Sequence, residues 1–426
     1  MTLDLSKPSA GLQSALARWL VGVFINRNYA LFMAGSFVSA TGSWFQAVAV
    51  GWLVLELSNS AFILGLTNFA QMAPLLVLGS LGGALADRVE RRTLVLVSQA
   101  GGTLALGALA LLAATGHVAV PLILLTSLAL GLCNAVLWPT WSVFIKDLVG
   151  PDRLREAIAL NSARFNLTRV IGPALAGVVL SRFGAAACLE LATAGMLGVL
   201  VSVWLIRLPP GERRQPAPWL QALREGLAFA WHHGPTRRLL LITGWVGLVA
   251  LPYQAFLPAI ARDALAAGPD AYGILLTAVG AGAIAGALLS GARVVAHHPE
   301  RAMAILAAGT GLGLILFAAS RSLWVAVPAL ALVGLCSIGY LATANATLQL
   351  AVPDALVGRV MGLWVMVNAG TTPVGSLLEG ALAERIGLTT TLVLAGGACT
   401  VLGLGLGGSM VAHRLEERPL LPQRNQ

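Results

Sequence analysis

The chain has 426 residues, of which 57% are hydrophobic and only 11% are charged, and its mean hydropathy is +0.82. This composition excludes an ordinary water-soluble globular protein, because a soluble core cannot hide that much apolar surface. The formal net charge of +9 comes from 25 Arg and 2 Lys. In a membrane protein such an excess indicates basic cytoplasmic loops rather than nucleic-acid binding.

Continuous apolar runs of about twenty residues predict membrane-spanning helices, since lipid offers the backbone no hydrogen-bond partner. Charge clusters and Gly or Pro turns divide the chain into twelve such runs. They lie near 29–56, 61–86, 93–114, 119–144, 157–181, 185–206, 239–260, 271–292, 302–319, 323–350, 359–383 and 387–411. We therefore expect an all-α polytopic membrane protein with twelve transmembrane helices in two six-helix bundles, 1–206 and 239–426. The polar, Pro-containing stretch 207–238 between them predicts a cytoplasmic linker with an amphipathic piece at 219–231.

An internal repeat relates the two halves. The strings GAL at 83–85 and GLC at 131–133 recur at 286–288 and 334–336, both displaced by 203 residues. Four further residues recur at the same displacement: Gly172, Gly177, Arg182 and Gly184 match Gly375, Gly380, Arg385 and Gly387. The shared register predicts two homologous bundles around a central axis.

The basic residues predict the orientation of the chain. With both termini placed in the cytoplasm, the cytoplasmic segments hold 21 of the 27 Lys and Arg residues. Positively charged loops stay in the cytoplasm. We therefore predict a multi-pass protein of the cell inner membrane with both termini inside.

The loop between the second and third spans carries the most specific motif, GGALADRVERR at 82–92. It resembles the signature of the major facilitator superfamily, with Gly83, Asp87, Arg88, Arg91 and Arg92 at the signature positions. Glu90 stands where the superfamily usually has Gly. This departure is similar to the branch that contains enterobactin exporters and macrolide efflux proteins. The resemblance covers essentially the whole chain.

This resemblance implies a conformational latch formed by Gly83, Asp87, Arg88, Arg91 and Asp147. Asp87 and Arg91 are expected to meet Asp147, at the end of the fourth span, and the start of the eleventh span when the carrier faces outward. Charge-assisted contacts between helix ends suit such a switch. The alternative for the basic residues is that they only anchor the topology.

A second motif lies in the fifth span, where Gly172, Pro173 and Gly177 form a GPxxAG pattern. It resembles the antiporter motif of drug exporters. Glycines at this spacing allow close helix approach, and a Pro inside a helix frees a backbone carbonyl. The pattern therefore fits either a bend at the interface between the halves or plain helix packing.

Polar and aromatic side chains inside the apolar spans predict a substrate cavity, because such groups are costly in lipid and usually face water or a partner. The candidates are Gln46, Asn68, Gln71, Asn134, Trp138, Trp141, Arg164, Arg169, Asn345, Gln349 and Asn368. The two Trp residues are candidates for stacking on a flat substrate. The alternative is that the amides bridge neighbouring helices and that Arg164 reaches the headgroup region.

Proton coupling requires a carboxylate or His that alternates between wet and dry surroundings, and the candidates are Glu379 and Glu56. For Glu56 the alternative is an ordinary helix-end carboxylate. The sequence contains no match to a nucleotide-binding loop, which leaves gradient-driven transport.

We therefore predict a proton-coupled exporter of a small drug-like or siderophore-like organic compound that works by alternating access. An importer or facilitator of sugars or small metabolites, and a non-transporting sensor or assembly protein, are the alternatives. We expect protons, a small-molecule substrate and the lipid bilayer as partners, with no nucleic acid, cofactor, metal or enzymatic activity. A monomer is expected, although the sequence does not fix the oligomeric state.

Overall fold

The computed structural model describes residue 24, residues 26–206 and residues 219–416. Every regular element among them is helical. The helices of the first half are α1 (Arg27–Ser58), α2 (Ala61–Arg88), α3 (Arg91–Ala114), α4 (Val120–Val149) and α5 (Leu154–Leu205). A helix in the predicted linker, α6 (Trp219–His232), precedes the second half. The second half contains α7 (Gly234–Val249), α8 (Tyr253–Ala259), α9 (Pro269–Ser290), α10 (Arg293–His297), α11 (Pro299–Ala319), α12 (Leu323–Ala351), α13 (Asp354–Ile386) and α14 (Leu388–Glu416).

The helix α5 contains two of the predicted spans. Its backbone is helical except at Gly184, whose φ of 80° and ψ of 177° lie outside the helical region. On α1, Ser36 contacts Arg164 from before this break, and Gly35 lies against Ser202 from after it. The chain therefore reverses at Gly184, and both arms of α5 run along α1.

Ten helical segments of the described chain are long and apolar enough to cross a membrane. One of them, α5, crosses twice, and the more polar α13 packs among the others as the eleventh span. The twelve-helix fold is thus confirmed. The predicted seventh span differs in detail, because the helix stops after Val249 and resumes at Tyr253, followed by a π-helical turn at Ile260–Ala264. Pro252, which has no N–H to donate, stands in this break.

The reversal at Gly184 has a counterpart in the second half. Gly387, 203 residues later, has a φ of 85° and joins α13 to α14. Residues with a Cβ rarely adopt such φ values, so both positions favour glycine. The repeat therefore preserves a glycine at the turn between the last two spans of each half.

The end of the molecule at which the loops 89–90, 150–153 and 291–292 lie is called the basic end, and the opposite end is called the far end. The two halves meet at the far end through two helix pairs, α2 with α13 and α5 with α9. A Cβ at Gly65 would lie 2.1 Å from the carbonyl oxygen of Ser376, and one at Gly177 would lie 2.9 Å from the Cα of Gly273. Glycine permits both close approaches.

The GPxxAG pattern is divided between two contacts. Gly172 lies beneath the ring of Trp44 inside its own half, where a Cβ would come 2.4 Å from Trp44 Cδ1. Gly177 and the carbonyl of Pro173 face Gly273 of the other half. The motif thus packs α5 against α1 and also forms part of the contact between the halves.

Candidate functional site

A cavity of about 720 Å³ lies within the first half, between α1, α3, α4 and α5. It extends from Gln46 to Lys146 and Leu154 near the basic end. We call it the N-half cavity. Its polar and aromatic lining residues are Ser36, Ser39, Ser43, Gln46, Gln99, Asn134, Trp138, Trp141, Lys146, Asn161 and Arg164.

A second cavity, of about 500 Å³, lies between the two halves, and we call it the central cavity. Its polar and aromatic lining residues are Trp44, Thr67, Asn68, Gln71, Trp138, Gln254, Tyr272, Ser337, Asn368 and Thr372. Trp138 lines both cavities and is 52% exposed, so its indole stands at the boundary between them.

The structure distributes the predicted cavity residues over these two spaces. Gln46, Asn134, Trp138, Trp141 and Arg164 line the N-half cavity. The amides Asn68, Gln71 and Asn368 line the central cavity. The expectation of one aqueous cavity thus becomes two adjoining ones, with the side chain of Trp138 at their boundary.

Three predicted residues lie elsewhere. Gln349 Nε2 donates to Asn345 Oδ1 at 2.6 Å, which makes them a pair on one face of α12. Arg169 lies at the crossing of α5 and α9, where its backbone carbonyl approaches Gly280 and its guanidinium interacts electrostatically with Tyr253. None of these three residues lines the N-half cavity or the central cavity.

Arg164 is held in place by two neighbouring groups. Its Nη1 donates to the carbonyl oxygen of Ser36 at 2.7 Å, and its Nη2 donates to Asn161 Oδ1 at 2.9 Å. Sequence reasoning missed Ser36, although Ser36, Ser39 and Ser43 recur at helical spacing on α1. It also missed Lys146 as a lining residue, because the basic count assigned Lys146 to a cytoplasmic segment.

Besides lining the cavity, Trp141 packs against another aromatic ring. Its ring centroid lies 4.9 Å from that of Phe32, and both rings belong to a small apolar cluster with Phe144. Trp138 has the larger free surface. Of the two predicted stacking residues, Trp138 is therefore the one whose ring face a substrate can reach.

Glu379 is 8% exposed, and neither carboxylate oxygen has a hydrogen-bond partner within the described part of the chain. On α13 it lies next to Gly380, which faces Ala61 of α2, and one turn after Gly375, which faces Leu248 of α7. Glu379 thus shares the face of α13 that Gly375 turns toward α7 of its own half, and it is buried beside the contact with α2. Glu56, in contrast, is exposed and accepts a hydrogen bond from Trp52 Nε1 at 2.6 Å.

At the basic end, Arg91 Nη1 donates to both carboxylate oxygens of Asp147, at 2.9 and 2.7 Å. This contact joins the start of α3 to the end of α4. The family resemblance implies this pair for the outward-facing carrier. Here the pair is formed although the far end, which the predicted topology places outside the cell, is closed. The side chains of Asp87 and Arg88, and the surroundings of Gly83, lie outside the described residues.

At the far end, two side chains of the second half hold the α1–α2 connection, and we call this arrangement the clasp. Glu384 Oε1 accepts hydrogen bonds from Ser60 Oγ at 2.5 Å and from the backbone N–H of Phe62 at 3.2 Å. The guanidinium of Arg262 donates to the carbonyl of Leu55 at 3.3 Å and to the side chain of Asn59. A carboxylate thus lies at the start of α2 and a guanidinium at the end of α1, which complements both helix dipoles.

The clasp predicts a small loss of far-end closure at acidic pH, because its carboxylate is exposed to solvent and contributes little to the closed conformation. Glu384 lies beyond the eleventh predicted span, and the hydrogen bonds from Ser60 and Phe62 hold the pKa of its carboxyl below the usual value of 4.5. A lowered pKa stabilises the closed conformation fully above pH 4.5, and this contribution is lost as the pH falls through the lowered value. Spin labels at Leu57 and Arg385, with the native Cys residues replaced, should therefore show a modestly larger fraction of long distances in acid.

The matched control for this experiment is Glu384→Gln. Its neutral amide retains hydrogen-bonding capacity but does not titrate, so the label distance should become independent of pH over the same window. A distance that changes equally with pH in the wild type and in this variant would assign the opening to another group.

Comparison with known proteins places the chain among transporters. The family described as transmembrane secretion effector matches residues 21–420. The staphyloferrin A transporter of Staphylococcus aureus is 24% identical over 375 residues, which cover 86% of this chain and 92% of the relative. The enterobactin exporter EntS of Escherichia coli O1:K1 / APEC is 27% identical over 392 residues, which cover 91% of this chain and 93% of the relative.

Solved structures share the fold at low identity. A point mutant of the nucleoside transporter NupG superposes with a TM-score of 0.73 at 13% identity, covering 89% of this chain and 99% of that one. A point mutant of the peptide transporter POT superposes with a TM-score of 0.73 at 15% identity, covering 91% of this chain and 95% of that one. These similarities concern the arrangement of the helices.

Proposed function

The chain belongs to the transmembrane secretion effector family of the major facilitator superfamily, and from this premise we propose that it is a proton-coupled exporter of a siderophore-like organic compound. It is a multi-pass membrane transporter and not an enzyme. Two relatives of similar length are a transporter and an exporter of siderophores, staphyloferrin A and enterobactin, and this supports the substrate class. The direction of transport, the coupling ion and the substrate belong to the proposal.

The closed far end and the cavities support alternating access as the mechanism. We place the basic end in the cytoplasm of the inner membrane, with both termini there, because basic loops remain inside. The N-half cavity then extends toward the cytoplasm while α2 with α13 and α5 with α9 close the external side. A substrate would enter from the cytoplasm, and rocking of the two halves would open the external side.

In this mechanism, the contact between Arg91 and Asp147 belongs to the latch predicted at the cytoplasmic face. Both side chains are partly exposed, at 18% and 30%, so we expect a modest energetic contribution. Asp87, Arg88 and Gly83 remain assigned to the latch by the family resemblance.

For proton coupling we propose Glu379, and the observation that carries this step is its burial without a hydrogen-bond partner in the described structure, on the face of α13 next to its contact with α2. An isolated carboxylate is costly to bury in its charged form. Protonation would therefore permit α13 to pack as it does in the conformation whose far end is closed. Thr372 and Asn368 lie two and three turns toward the central cavity and line it, which gives the proton a polar route to that space.

The proposed function is tested with everted membrane vesicles, whose cytoplasmic face is outside. We expect a pH gradient, acidic inside, to drive uptake of enterobactin or staphyloferrin A, and we expect collapse of the gradient to stop it. An importer would instead release the compound under this gradient, and a sensor would show no flux. Vesicles without the protein provide the control, and uptake that does not respond to collapse would contradict proton coupling.

A further inference from the structure

The N-half cavity is cationic and rich in hydrogen-bond donors. Its charged lining residues are Arg164 and Lys146, and no Asp or Glu lines it in the part of the chain that the structure describes. The remaining polar lining comes from hydroxyl and amide side chains, including Gln46 and Asn134. A site with this composition attracts a negative charge and repels a positive one.

Arg164 retains binding capacity for such a charge. Its guanidinium has five N–H groups, and the two hydrogen bonds to Ser36 and Asn161 use only part of them. Within the described residues no carboxylate pairs with Arg164, and the acceptors it has are a neutral carbonyl and a neutral amide. Buried cations are usually paired, and a planar guanidinium is suited to a carboxylate or a similar oxyanion.

A second, independent group in the same cavity also lacks a partner. Gln46 is only 7% exposed, and its Nε2 has no hydrogen-bond partner in the described structure. A buried donor without a partner costs free energy unless a ligand satisfies it. Gln46 lies ten residues, about 15 Å, along α1 from Ser36, so it offers a donor to a different part of a ligand bound at Arg164.

The central cavity differs in charge. No charged side chain is among its described lining residues, and Trp138 forms its boundary with the N-half cavity. The two spaces therefore offer different environments to two parts of one ligand. A charged end fits the N-half cavity, whereas a flat or apolar part fits against the half-exposed indole and the neutral walls.

From these observations we propose that the N-half cavity binds the acidic end of the transported molecule through Arg164, and that the protein selects organic anions over lipophilic cations. The proposal rests on the proposed function in so far as it treats the cavity as the substrate site. Lys146, which is exposed near the basic end, provides a second positive charge along the entry path. Electrostatic attraction of this kind raises the local concentration of an anion.

The test uses two fluorescent probes with the same tricyclic scaffold, the anion fluorescein and the cation rhodamine 123. Their binding to the full-length protein in nanodiscs is measured by fluorescence anisotropy, with empty nanodiscs as the background. We expect fluorescein to bind at least about tenfold more tightly than rhodamine 123. Equal binding of the two probes, or no saturable binding of fluorescein, would overturn the proposal.

Variants assign the preference to the cavity. Arg164→Gln should weaken fluorescein binding by about tenfold or more and leave rhodamine 123 unchanged or slightly tighter. Arg155→Gln removes a charge from an exposed position near the same end that does not line the cavity, so it should retain the wild-type preference. Equal weakening of both probes by Arg164→Gln would indicate a structural role and would contradict anion recognition.

A third variant tests the anion preference without changing a side chain that is hydrogen-bonded inside the bundle, in case Arg164→Gln does not fold. Lys146→Gln changes an exposed side chain and should still lower the affinity for fluorescein selectively, by a smaller factor than Arg164→Gln. Because binding is measured without a gradient, failure of proton-driven uptake would leave the anion preference intact. If the wild-type protein showed proton-driven uptake but no preference for fluorescein over rhodamine 123, anion recognition would be contradicted and the proposed function would not.

Discussion

Replacement of Glu379 by Gln is expected to abolish substrate accumulation driven by a pH gradient while leaving the protein folded and able to exchange substrate. Gln has nearly the same shape as a protonated Glu and cannot ionise. The buried position on α13 therefore accepts it without the cost of a charge. The variant should behave as if the proton were always bound.

The magnitude follows from the energy of the gradient. One pH unit corresponds to about 1.4 kcal/mol per proton, so coupling to one proton supports about tenfold accumulation. Proteoliposomes that contain Glu379→Gln should reach no accumulation under the same gradient. Counterflow, in which labelled substrate exchanges for unlabelled substrate across an equilibrated membrane, should continue at a measurable rate.

Glu56→Gln is the matched control. Glu56 is exposed at the end of α1 and is hydrogen-bonded to Trp52, so its loss should leave gradient-driven accumulation intact. Full accumulation by Glu379→Gln, or loss of accumulation in Glu56→Gln alone, would assign the coupling proton to another site.

The sequence predicts the fold because each span is encoded locally. Apolar length specifies the twelve crossings, and the 203-residue repeat identifies Gly184 and Gly387 as equivalent before their backbone angles are known. The break at Pro252 was not predicted, because Pro also occurs inside continuous helices of this protein, such as at Pro139 of α4 and Pro328 of α12. Whether Pro interrupts a membrane helix depends on the neighbours that satisfy the free carbonyl.

The candidate site was less predictable, because the charge inside a span does not reveal which neighbour it faces. Arg164 and Arg169 are five residues apart on α5, which places them about 140° apart around the helix. One faces the N-half cavity and the other faces the crossing with α9. Similarly, Asn345 and Gln349 satisfy each other on one helix. Only the packing of the helices distinguishes these cases.

Replacement of Gly177 by Ala is expected to disfavour closure of the far end. A Cβ at this position would lie 2.9 Å from Gly273 Cα and 3.0 Å from the carbonyl oxygen of Pro269. Both are backbone atoms, so α5 and α9 must separate to accommodate the methyl group. Overpacking of this kind costs about 1–3 kcal/mol, and a difference of about 1.4 kcal/mol lowers the ratio of closed to open molecules about tenfold.

Within α5 itself, the substitution is expected to stabilise the helix rather than destabilise it. Alanine is more favourable than glycine in a helix by about 1 kcal/mol. Gly177→Ala should therefore not destabilise α5 itself, and any loss of transport must come from the contact with α9. Spin labels at Arg182 and Asp270, near the ends of these two helices, should move apart, and the counterflow rate should fall by about tenfold because each cycle passes through the closed conformation.

Gly198→Ala separates this contact from a general effect of substituting glycine in the same helix. A Cβ at Gly198 would meet no atom within 4 Å, so the variant gains the helical preference without any clash. It should retain the wild-type label distance and counterflow rate. If Gly177→Ala also retained both, the close approach of α5 and α9 would not be required for transport, and closure of the far end would depend on α2 and α13 instead.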